Sequence, residues 1–234
     1  MSAAGQAVAV RDLRFAYGRG PAVVDIPALD IARGESVFLY GPSGSGKTTL
    51  LGLIAGVLQP GAGRVEVLGV DLAQRSASAR DAFRAEHVGY VFQQFNLIPY
   101  LSVRDNITLP CRLHGARRAR LAGVSLQDAA RAMAAELQIE ALLERPVTDL
   151  SVGQQQRVAA ARALIGHPEL VIADEPTSAL DTDRREAFLS LLFASCARAK
   201  ATLLFVSHDL TLQPLFSQAL DLTALNRAAH PSAV

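Results

Sequence analysis

Residues 36–51 of the 234-residue chain read SVFLYGPSGSGKTTLL, and they carry the strongest indication of its fold. Its first part, Ser36–Tyr40, has the apolar run of a buried strand, and the residues after Lys47 predict a helix to about Gly56. Between them, Gly41–Thr48 matches the pattern G-x-x-x-x-G-K-[ST] at the strand-to-helix turn where its mechanism requires it. The stretch therefore predicts a phosphate-binding loop.

Each residue type in this loop has a physical task in holding a triphosphate. Glycines permit backbone with positive φ, so that N–H groups turn inward around phosphate oxygens. The helix that follows directs its N-terminal partial positive charge at the same anion. Lys47 would add a full charge at the β- and γ-phosphates, and the hydroxyl of Thr48 can ligate Mg²⁺. The residues predicted to contact the triphosphate are Gly41, Pro42, Ser43, Gly44, Ser45, Gly46, Lys47, Thr48 and Thr49.

Strand-like runs alternate with helical stretches along most of the chain, which predicts an α/β fold with a largely parallel sheet. Leu170–Ala173 and Thr202–Val206 are continuous apolar runs, as is typical of buried parallel strands. Helices are predicted at about 181–198 and 209–218, and a last strand over Ala219–Asn226. Two strands predicted at Val8–Tyr17 and Ala22–Leu29 form an N-terminal antiparallel β portion. The remaining predicted strands are Arg64–Leu68 and His87–Phe92.

Residues 94–167 differ from the rest, because β-branched runs are few and Ala, Leu, Arg and Gln dominate. We predict one domain, with a nucleotide-binding core of residues 1–93 and 168–226, a helical subdomain inserted at 94–167, and a loose tail at 227–234. The cluster of Arg117, Arg118 and Arg120 is predicted to be a solvated face without a role.

Composition excludes several classes of protein. Lys and Arg total 23 against 22 Asp and Glu, and a net charge of +1 offers no footprint for nucleic acid or anionic lipid. Cys111 and Cys196 lie in no metal-ligand spacing and are predicted to be buried, reduced thiols, which suits a reducing cytosol. No apolar run approaches the roughly 20 residues that cross a bilayer, and Met1–Gly5 lacks a signal-peptide pattern. Any membrane part is therefore expected on another chain.

Two adjacent carboxylates, Asp174 and Glu175, follow the predicted strand at Leu170–Ala173. Ionised acids at the end of a buried strand need partners. At the carboxyl edge of a parallel sheet, Asp174 is predicted to hold Mg²⁺ through its water shell. Glu175 is predicted to orient and deprotonate a water for attack on the γ-phosphate.

Residues 150–157 read LSVGQQQR and precede a helical run, in which Ser151 and Gln154 predict a capping box. Together with the phosphate loop and the two carboxylates at Asp174 and Glu175, this segment resembles the L-S-G-G-Q signature of ATP-binding cassette (ABC) ATPases. The other elements of that family are also present, in the family's order along the chain. They are an adenine-stacking aromatic at Tyr17, the Q-loop glutamine at Gln93, the D-loop at Ser178, Ala179, Leu180 and Asp181, and the switch histidine at His208. On this resemblance, residues 1–234 form a single ABC ATPase domain.

The resemblance implies that two subunits clamp ATP and Mg²⁺ between them. Ser151, Gly153 and Gln154 of one subunit would contact the nucleotide in the phosphate loop of the other, with Ser178 and Asp181 near the dimer contact. His208 would hold the γ-phosphate, and Gln93 would join Thr48 and Asp174 at Mg²⁺ and couple it to the helical subdomain. The second subunit is expected to be another copy of this chain.

The segment Gln93–Val103 resembles the branch of lipoprotein-release, macrolide-efflux and cell-division ATPases, which work with separately encoded membrane permeases. The resemblance implies a protein on the cytoplasmic face of the membrane, held there by its permease. An exposed apolar cluster is predicted to dock a permease helix. The alternative is that the cluster packs within the helical subdomain. It consists of Phe95, Leu97, Ile98 and Leu101.

Two other functions compete with a transport ATPase. One is a soluble ABC-type ATPase acting on nucleic acid or ribosomes, which the absence of heptads and cysteine clusters and the charge disfavour. The other is a cassette that binds ATP without hydrolysing it, which the presence of Lys47, Glu175 and His208 disfavours. One departure from the family pattern is Val152, which replaces the first glycine of the signature pair and could loosen closure or slow turnover.

Overall fold

A computed structural model describes residues 5–228. Predictions for residues 1–4 and for 229–234 of the tail lie outside this range. The strands are β1 (Gln6–Ala16), β2 (Ala22–Ala32), β3 (Ser36–Tyr40), β4 (Ala62–Val67), β5 (Val70–Asp71), β6 (Val88–Val91), β7 (Leu170–Asp174), β8 (Thr202–Val206) and β9 (Gln218–Asp221). The α-helices are α1 (Lys47–Ile54), α2 (Ala77–His87), α3 (Val103–Leu113), α4 (Gly115–Ala119), α5 (Leu126–Glu136), α6 (Val152–Leu164), α7 (Thr182–Ala199) and α8 (Leu222–Leu225).

The described residues divide into two compact units, residues 5–84 with 204–228 and residues 85–203. The first unit contains an antiparallel sheet of order β2-β1-β4-β5 and a parallel pair, β3 and β9. In β2, burial alternates at Val24 and Ile26 and again at Leu29 and Ile31, with a shift of one residue between the two pairs. Pro27 lies at this shift and is tolerated because β2 is an edge strand that need not donate a ladder bond there.

The second unit contains the parallel pair β6 and β7 and most of the helices. Gly89 in β6 allows a close approach to α6, since a Cβ there would lie 2.3 Å from the carbonyl oxygen of Ala163. Helices α3 and α5 each begin at a serine, Ser102 and Ser125, whose hydroxyl accepts a backbone N–H three residues on. The predicted α/β class, with parallel strands, an N-terminal antiparallel portion and inserted helices, is confirmed.

Two predictions near the C-terminus are wrong. The helix predicted at 209–218 is a 3-10 helix over Leu210–Leu215 that contains Pro214, followed by β9. Proline cannot donate the bond that an α-helix requires, and Gln218 instead pairs with Val37 of β3. The strand predicted over Ala219–Asn226 ends at Asp221, because its carboxylate accepts the N–H of Thr223 and starts α8.

No helix within residues 5–228 is long and apolar enough to span a membrane.

Candidate functional site

The first unit carries the phosphate loop, which leads into the N-terminus of α1. Gly46 is the N-cap, with φ 96°, and a Cβ at this position would lie 3.0 Å from the carbonyl oxygen of Val23. Only glycine accepts that φ and that contact without strain. Among the described residues, no side chain caps α1 and no acid lies in its first turn. The orphan N–H groups and the helix dipole at this end therefore suit an anion.

The lysine and a serine of the loop also fit a phosphate ligand. The ammonium of Lys47 donates to the carbonyl oxygens of Gly41 at 2.7 Å and Pro42 at 3.0 Å, which holds it within the loop. An ammonium has three N–H groups, so this arrangement leaves one for an anion. The hydroxyl of Ser45 is buried and has no hydrogen-bond partner among the described residues. The donor set of the loop is thus suited to phosphate oxygens.

Tyr17 and His208, both predicted site residues, lie in the first unit as well. The hydroxyl of Tyr17 lies 3.2 Å from the hydroxyl oxygen of Thr49, so the ring stands beside the helix that follows the loop. Tyr17 is 56% exposed, and its ring lies perpendicular to that of Phe15 with the ring centroids 4.9 Å apart. His208 is exposed, and the N–H of the preceding Ser207 donates to Leu39 near the end of β3.

The second unit carries the acidic strand end. Asp174 is the last residue of β7, and it hydrogen-bonds with the phenol of Tyr90. Burial, reinforced by the charge of Asp174, raises the pKa of Tyr90, so this phenol stays protonated as a donor. Glu175 has φ 48°, a left-handed conformation that costs a non-glycine residue about 1–3 kcal/mol and is concentrated at functional sites.

The signature segment forms the start of α6, as its capping box predicts. The N–H of Gln154 donates to the Ser151 hydroxyl at 3.4 Å, and the N–H of Ser151 donates to the Gln154 side-chain oxygen at 3.0 Å. Ser151 is exposed, and the Val152 side chain is 47% exposed. A cavity of about 300 Å³ adjoins this helix start, and its lining includes Ser151, Gly153, Gln154, Leu180 and Arg184.

The D-loop precedes α7. Asp181 is the N-cap of that helix, and its carboxylate accepts the N–H of Arg184 at 2.9 Å. The N–H of Ser178 donates to the carbonyl oxygen of Glu175 at 3.3 Å, so the D-loop begins directly at the acidic strand end. Both Ser178 and Asp181 are exposed. Gln93, two residues beyond β6, is exposed too.

Two buried arginines in the second unit were not predicted from the sequence as functional or structural residues. Arg162 of α6 donates to the carbonyl oxygens of Phe95 at 2.5 Å and Asn96 at 2.6 Å, two residues with positive φ just beyond Gln93. The signature helix is therefore joined directly to the segment that follows Gln93. The sequence offers one weak signal, an arginine within the otherwise apolar run AAARAL.

Arg117 is the second buried arginine, and the prediction of a solvated face is wrong for it. It is 1% exposed and donates to four backbone carbonyls, including Ile165 at 2.8 Å and Val88 at 2.9 Å. Its neighbour Arg120 instead pairs with Glu169, which also hydrogen-bonds with His87. Burial alone would raise the pKa of Glu169, but the bonds from His87 and Arg120 and their charges lower it to about 2. Arg118 alone of the cluster is exposed.

The apolar docking cluster is only partly exposed. Phe95 is 8% exposed, which contradicts its predicted exposure, because Arg162 holds its backbone in a buried turn. Leu97, Ile98 and Leu101 are half-buried. Tyr100, which the sequence analysis did not single out, is 84% exposed and is the most prominent apolar side chain of this segment. The predicted burial of Cys111 and Cys196 is confirmed.

Comparison with known proteins extends these observations. The profile of a family described as "ABC transporter" matches residues 24–178. The chain is 39% identical over 208 residues to the ABC transporter ATP-binding protein YbbA of Escherichia coli K12, covering 88% of this chain and 89% of that one. It is 38% identical over 196 residues to the lipoprotein-releasing system ATP-binding protein LolD of Chromohalobacter salexigens, covering 82% and 81%.

Solved structures agree with this result. A dimeric post-hydrolysis state of the ATP-binding cassette MJ0796, bound to ADP and Pi, superposes with a TM-score of 0.80 at 30% identity, covering 92% of this chain and 93% of that one. CbiO1 from Clostridium perfringens, part of the ABC transporter complex cbiONQ, superposes with a TM-score of 0.81 at 25% identity, covering 93% and 84%.

Proposed function

This chain belongs to the ABC transporter family of ATP-binding proteins, and from that premise we propose which of its residues carry each step of its activity. It is the ATP-binding and ATP-hydrolysing subunit of an ABC transporter. The observation that carries this conclusion is the phosphate loop that leads into the uncapped N-terminus of α1. A soluble ABC-type ATPase acting on nucleic acid gains no support from the net charge of +1.

ATP is held by the loop and by one aromatic ring. The backbone N–H groups of the loop and the ammonium of Lys47 bind the triphosphate, and Tyr17 stacks on adenine. The exposure of Tyr17 and its hydrogen bond with Thr49 support this assignment, because they place an accessible aromatic side chain beside the helix that follows the loop. The residues assigned to ATP are Tyr17, Gly41, Pro42, Ser43, Gly44, Ser45, Gly46, Lys47, Thr48 and Thr49.

Thr48, Gln93 and Asp174 are the residues we assign to Mg²⁺. Protein sites usually bind Mg²⁺ through one or two side chains, substrate phosphates and several waters. Within residues 5–228 no three His, Cys, Asp or Glu side chains form a ready-made metal site, and a hydroxyl with one carboxylate suits this sparse mode. When bound, Mg²⁺ neutralises charge on the phosphates. Tyr90 fixes the carboxylate of Asp174 by its hydrogen bond.

Glu175 is the proposed general base, which takes a proton from the attacking water. A positioned base contributes about 10²–10⁴-fold to such a step. The left-handed backbone of Glu175 supports the assignment, because strain of this kind persists where the surroundings impose it.

His208 holds the γ-phosphate, and Gln93 couples the nucleotide to the segment that Arg162 joins to α6.

The signature segment acts in a dimer. Ser151, Gly153 and Gln154 at the start of α6 bind the ATP held by the second subunit, with Ser178 and Asp181 at the dimer contact. The exposure of Ser151 and the helix N-terminus beneath it support this second anion site. Closure depends on contacts to the γ-phosphate, and hydrolysis removes them, so the dimer opens. The second subunit is another copy of this chain.

The membrane partner is a separately encoded permease, which holds the chain at the cytoplasmic face of the membrane. The likeness to a lipoprotein-releasing ATP-binding protein and to a component of a transporter complex supports such a partner. The permease contacts the segment after Gln93, where Tyr100 stands out at 84% exposure beside the half-buried Leu97 and Ile98. An exposed aromatic beside smaller apolar groups suits a helix packed into a groove.

Phosphate release from MgATP tests the assignment. We expect Lys47→Ala to lose ATP binding, and Glu175→Gln to bind ATP but hydrolyse it about 10²–10⁴-fold more slowly. Light scattering should show that Glu175→Gln forms a dimer with MgATP and a monomer with MgADP. Lys200→Arg is the control, since Lys200 is exposed at the end of α7. Unchanged hydrolysis by both Lys47→Ala and Glu175→Gln would contradict the proposal.

A further inference from the structure

The segment that follows β9 packs against both ends of the phosphate loop. At the first end, a Cβ on Gly41 would lie 3.5 Å from Cβ of Leu222, the first residue of α8. At the second end, a Cβ on Gly46 would lie 3.3 Å from Nδ2 of Asn226, the residue that ends α8. Leu222 is fully buried and Asn226 is 5% exposed. The loop is thus enclosed by a segment more than 170 residues away in sequence.

Asn226 uses all of its hydrogen-bonding capacity on three pieces of backbone. Its Nδ2 donates to the carbonyl oxygens of Ser45 in the loop at 3.1 Å and of Val23 in β2 at 2.9 Å. Its Oδ1 accepts the N–H of Asp25 in β2 at 2.8 Å and of Ala228 at 3.2 Å. A carboxamide offers two donors and two acceptor lone pairs, so a single buried side chain joins the loop, β2 and the C-terminal segment.

The backbone continues this connection. The N–H of Arg227 donates to the carbonyl oxygen of Asp25 at 2.8 Å, so the chain after α8 lies along β2. β2 belongs to the antiparallel sheet and is held there by the full length of β1. The loop is therefore fixed to a rigid sheet through Asn226, in addition to its own strand β3 and helix α1.

We propose that Asn226 is a positioning residue, which holds the phosphate loop against β2 in the conformation that receives ATP. Asn226 holds the carbonyl oxygen of Ser45. Because the C=O and N–H bonds of a trans peptide point in opposite directions, the N–H of Gly46 is directed away from Asn226, and we assign it to the ligand. The proposal rests on the proposed function, in that it takes the loop to be the ATP site. It adds a role for a residue outside every motif of the sequence analysis.

The variant Asn226→Asp tests the two hydrogen bonds that Nδ2 donates separately from the two that Oδ1 accepts. It keeps an oxygen to accept from Asp25 and Ala228, but it replaces the two donors by a second oxygen that faces the carbonyl oxygens of Ser45 and Val23. A lost buried hydrogen bond and the repulsion that replaces it are expected to raise the Kd for ATP at least about tenfold. Two controls change the same unit without touching the loop. Asp30→Asn loses the ion pair of β2 with Arg11, and Leu72→Ala opens a cavity beside Gly56.

ATP binding by equilibrium dialysis and amide hydrogen exchange of residues 43–46 are measured together. The proposal predicts weaker binding and faster exchange of these amides in ATP-free Asn226→Asp, with the wild-type affinity retained in both controls. An Asn226→Asp protein that folds and binds ATP as tightly as wild type would overturn the proposal while leaving the proposed function intact. A wild-type chain that binds no ATP would instead overturn the proposed function.

A measurement on the unmodified chain covers the case in which Asn226→Asp does not fold. If Asn226 couples the loop to β2, ATP binding must stabilise the far side of the same side chain, because coupling is reciprocal. The amides of Asp25 and Ala228 should therefore exchange more slowly with ATP bound. The amide of Leu68, which donates to Ala7 elsewhere in the antiparallel sheet, should not change. Equal exchange of Asp25 and Ala228 with and without ATP would overturn the proposal.

Discussion

Replacing the buried Arg117 by methionine is expected to destabilise the protein by roughly 3 kcal/mol. The guanidinium donates to the carbonyl oxygens of Ala163 and Ile165 at the end of α6, to Ala85 in the last turn of α2, and to Val88. The last carbonyls of a helix have no partner within the helix. A cation at such an end is also favoured by the helix dipole.

The magnitude follows from these contacts. Burial lowers the pKa of Arg117 to about 10, so the side chain remains charged at pH 7. Each carbonyl left without its donor costs about 1–3 kcal/mol, and several are affected. The gain from no longer burying a cation offsets part of this cost. A net loss of about 3 kcal/mol would lower the thermal midpoint by about 6–12 °C in a chain of this size.

The assay compares Arg117→Met with Arg118→Met in thermal and urea unfolding. The two arginines are adjacent in α4, but Arg118 is exposed, and its replacement is expected to change stability by less than about 0.5 kcal/mol. Equal midpoints for the two variants would contradict this prediction, because they would mean that the buried hydrogen bonds of Arg117 contribute nothing beyond what an exposed arginine contributes.

Three further predictions concern other parts of the molecule. Glu169→Gln should lower the thermal midpoint at pH 7, because the pKa of Glu169 in the folded protein, about 2, lies below its ordinary value of 4.5. The stabilisation by the ionised carboxylate is complete above about pH 4.5 and is lost toward pH 2. A difference between the midpoints of variant and wild type that persists at pH 2 would count against this prediction. Val152→Gly should preserve or raise ATP turnover, because it restores the family's signature glycine; collapse of turnover would show a specific role for the valine. Tyr100→Asp should abolish co-purification with the permease and leave the chain's own ATP hydrolysis intact. The control Leu113→Asp, at a residue that is 77% exposed, should change neither. Unchanged co-purification of Tyr100→Asp would contradict the assignment of this segment to the permease.

Features set by neighbouring residues could be predicted from the sequence. β3 and β8 begin and end where the apolar runs begin and end, at Ser36–Tyr40 and Thr202–Val206. The capping box at Ser151 forms because its partner Gln154 is three residues away. The phosphate loop can be recognised from its own glycines and from the helix that follows it.

Features set by distant residues could not be predicted. Arg117 bonds with a carbonyl 48 residues away, Arg162 with one 66 residues away, and Asn226 with one 181 residues away. No local pattern distinguishes a buried arginine from an exposed one, because charged side chains are usually exposed and the partners here are backbone carbonyls. The predicted helix at 209–218 fails for two reasons: Pro214 is a local signal against an α-helix, whereas the parallel pairing of β9 with the distant β3 is visible only in the structure.

Binding of ATP by the phosphate loop through Lys47 can be measured directly, because the chain contains few lysines. The chain contains two lysines, Lys47 in the loop and Lys200 at the end of α7. An acyl-phosphate derivative of ATP transfers its acyl group to a lysine amine held beside the phosphates and releases ATP, and mass spectrometry reports the acylated fraction of each lysine. We expect Lys47 to be acylated and excess ATP to suppress this acylation, whereas any acylation of Lys200 should be unaffected by ATP. Equal acylation of both lysines, insensitive to ATP, would contradict it.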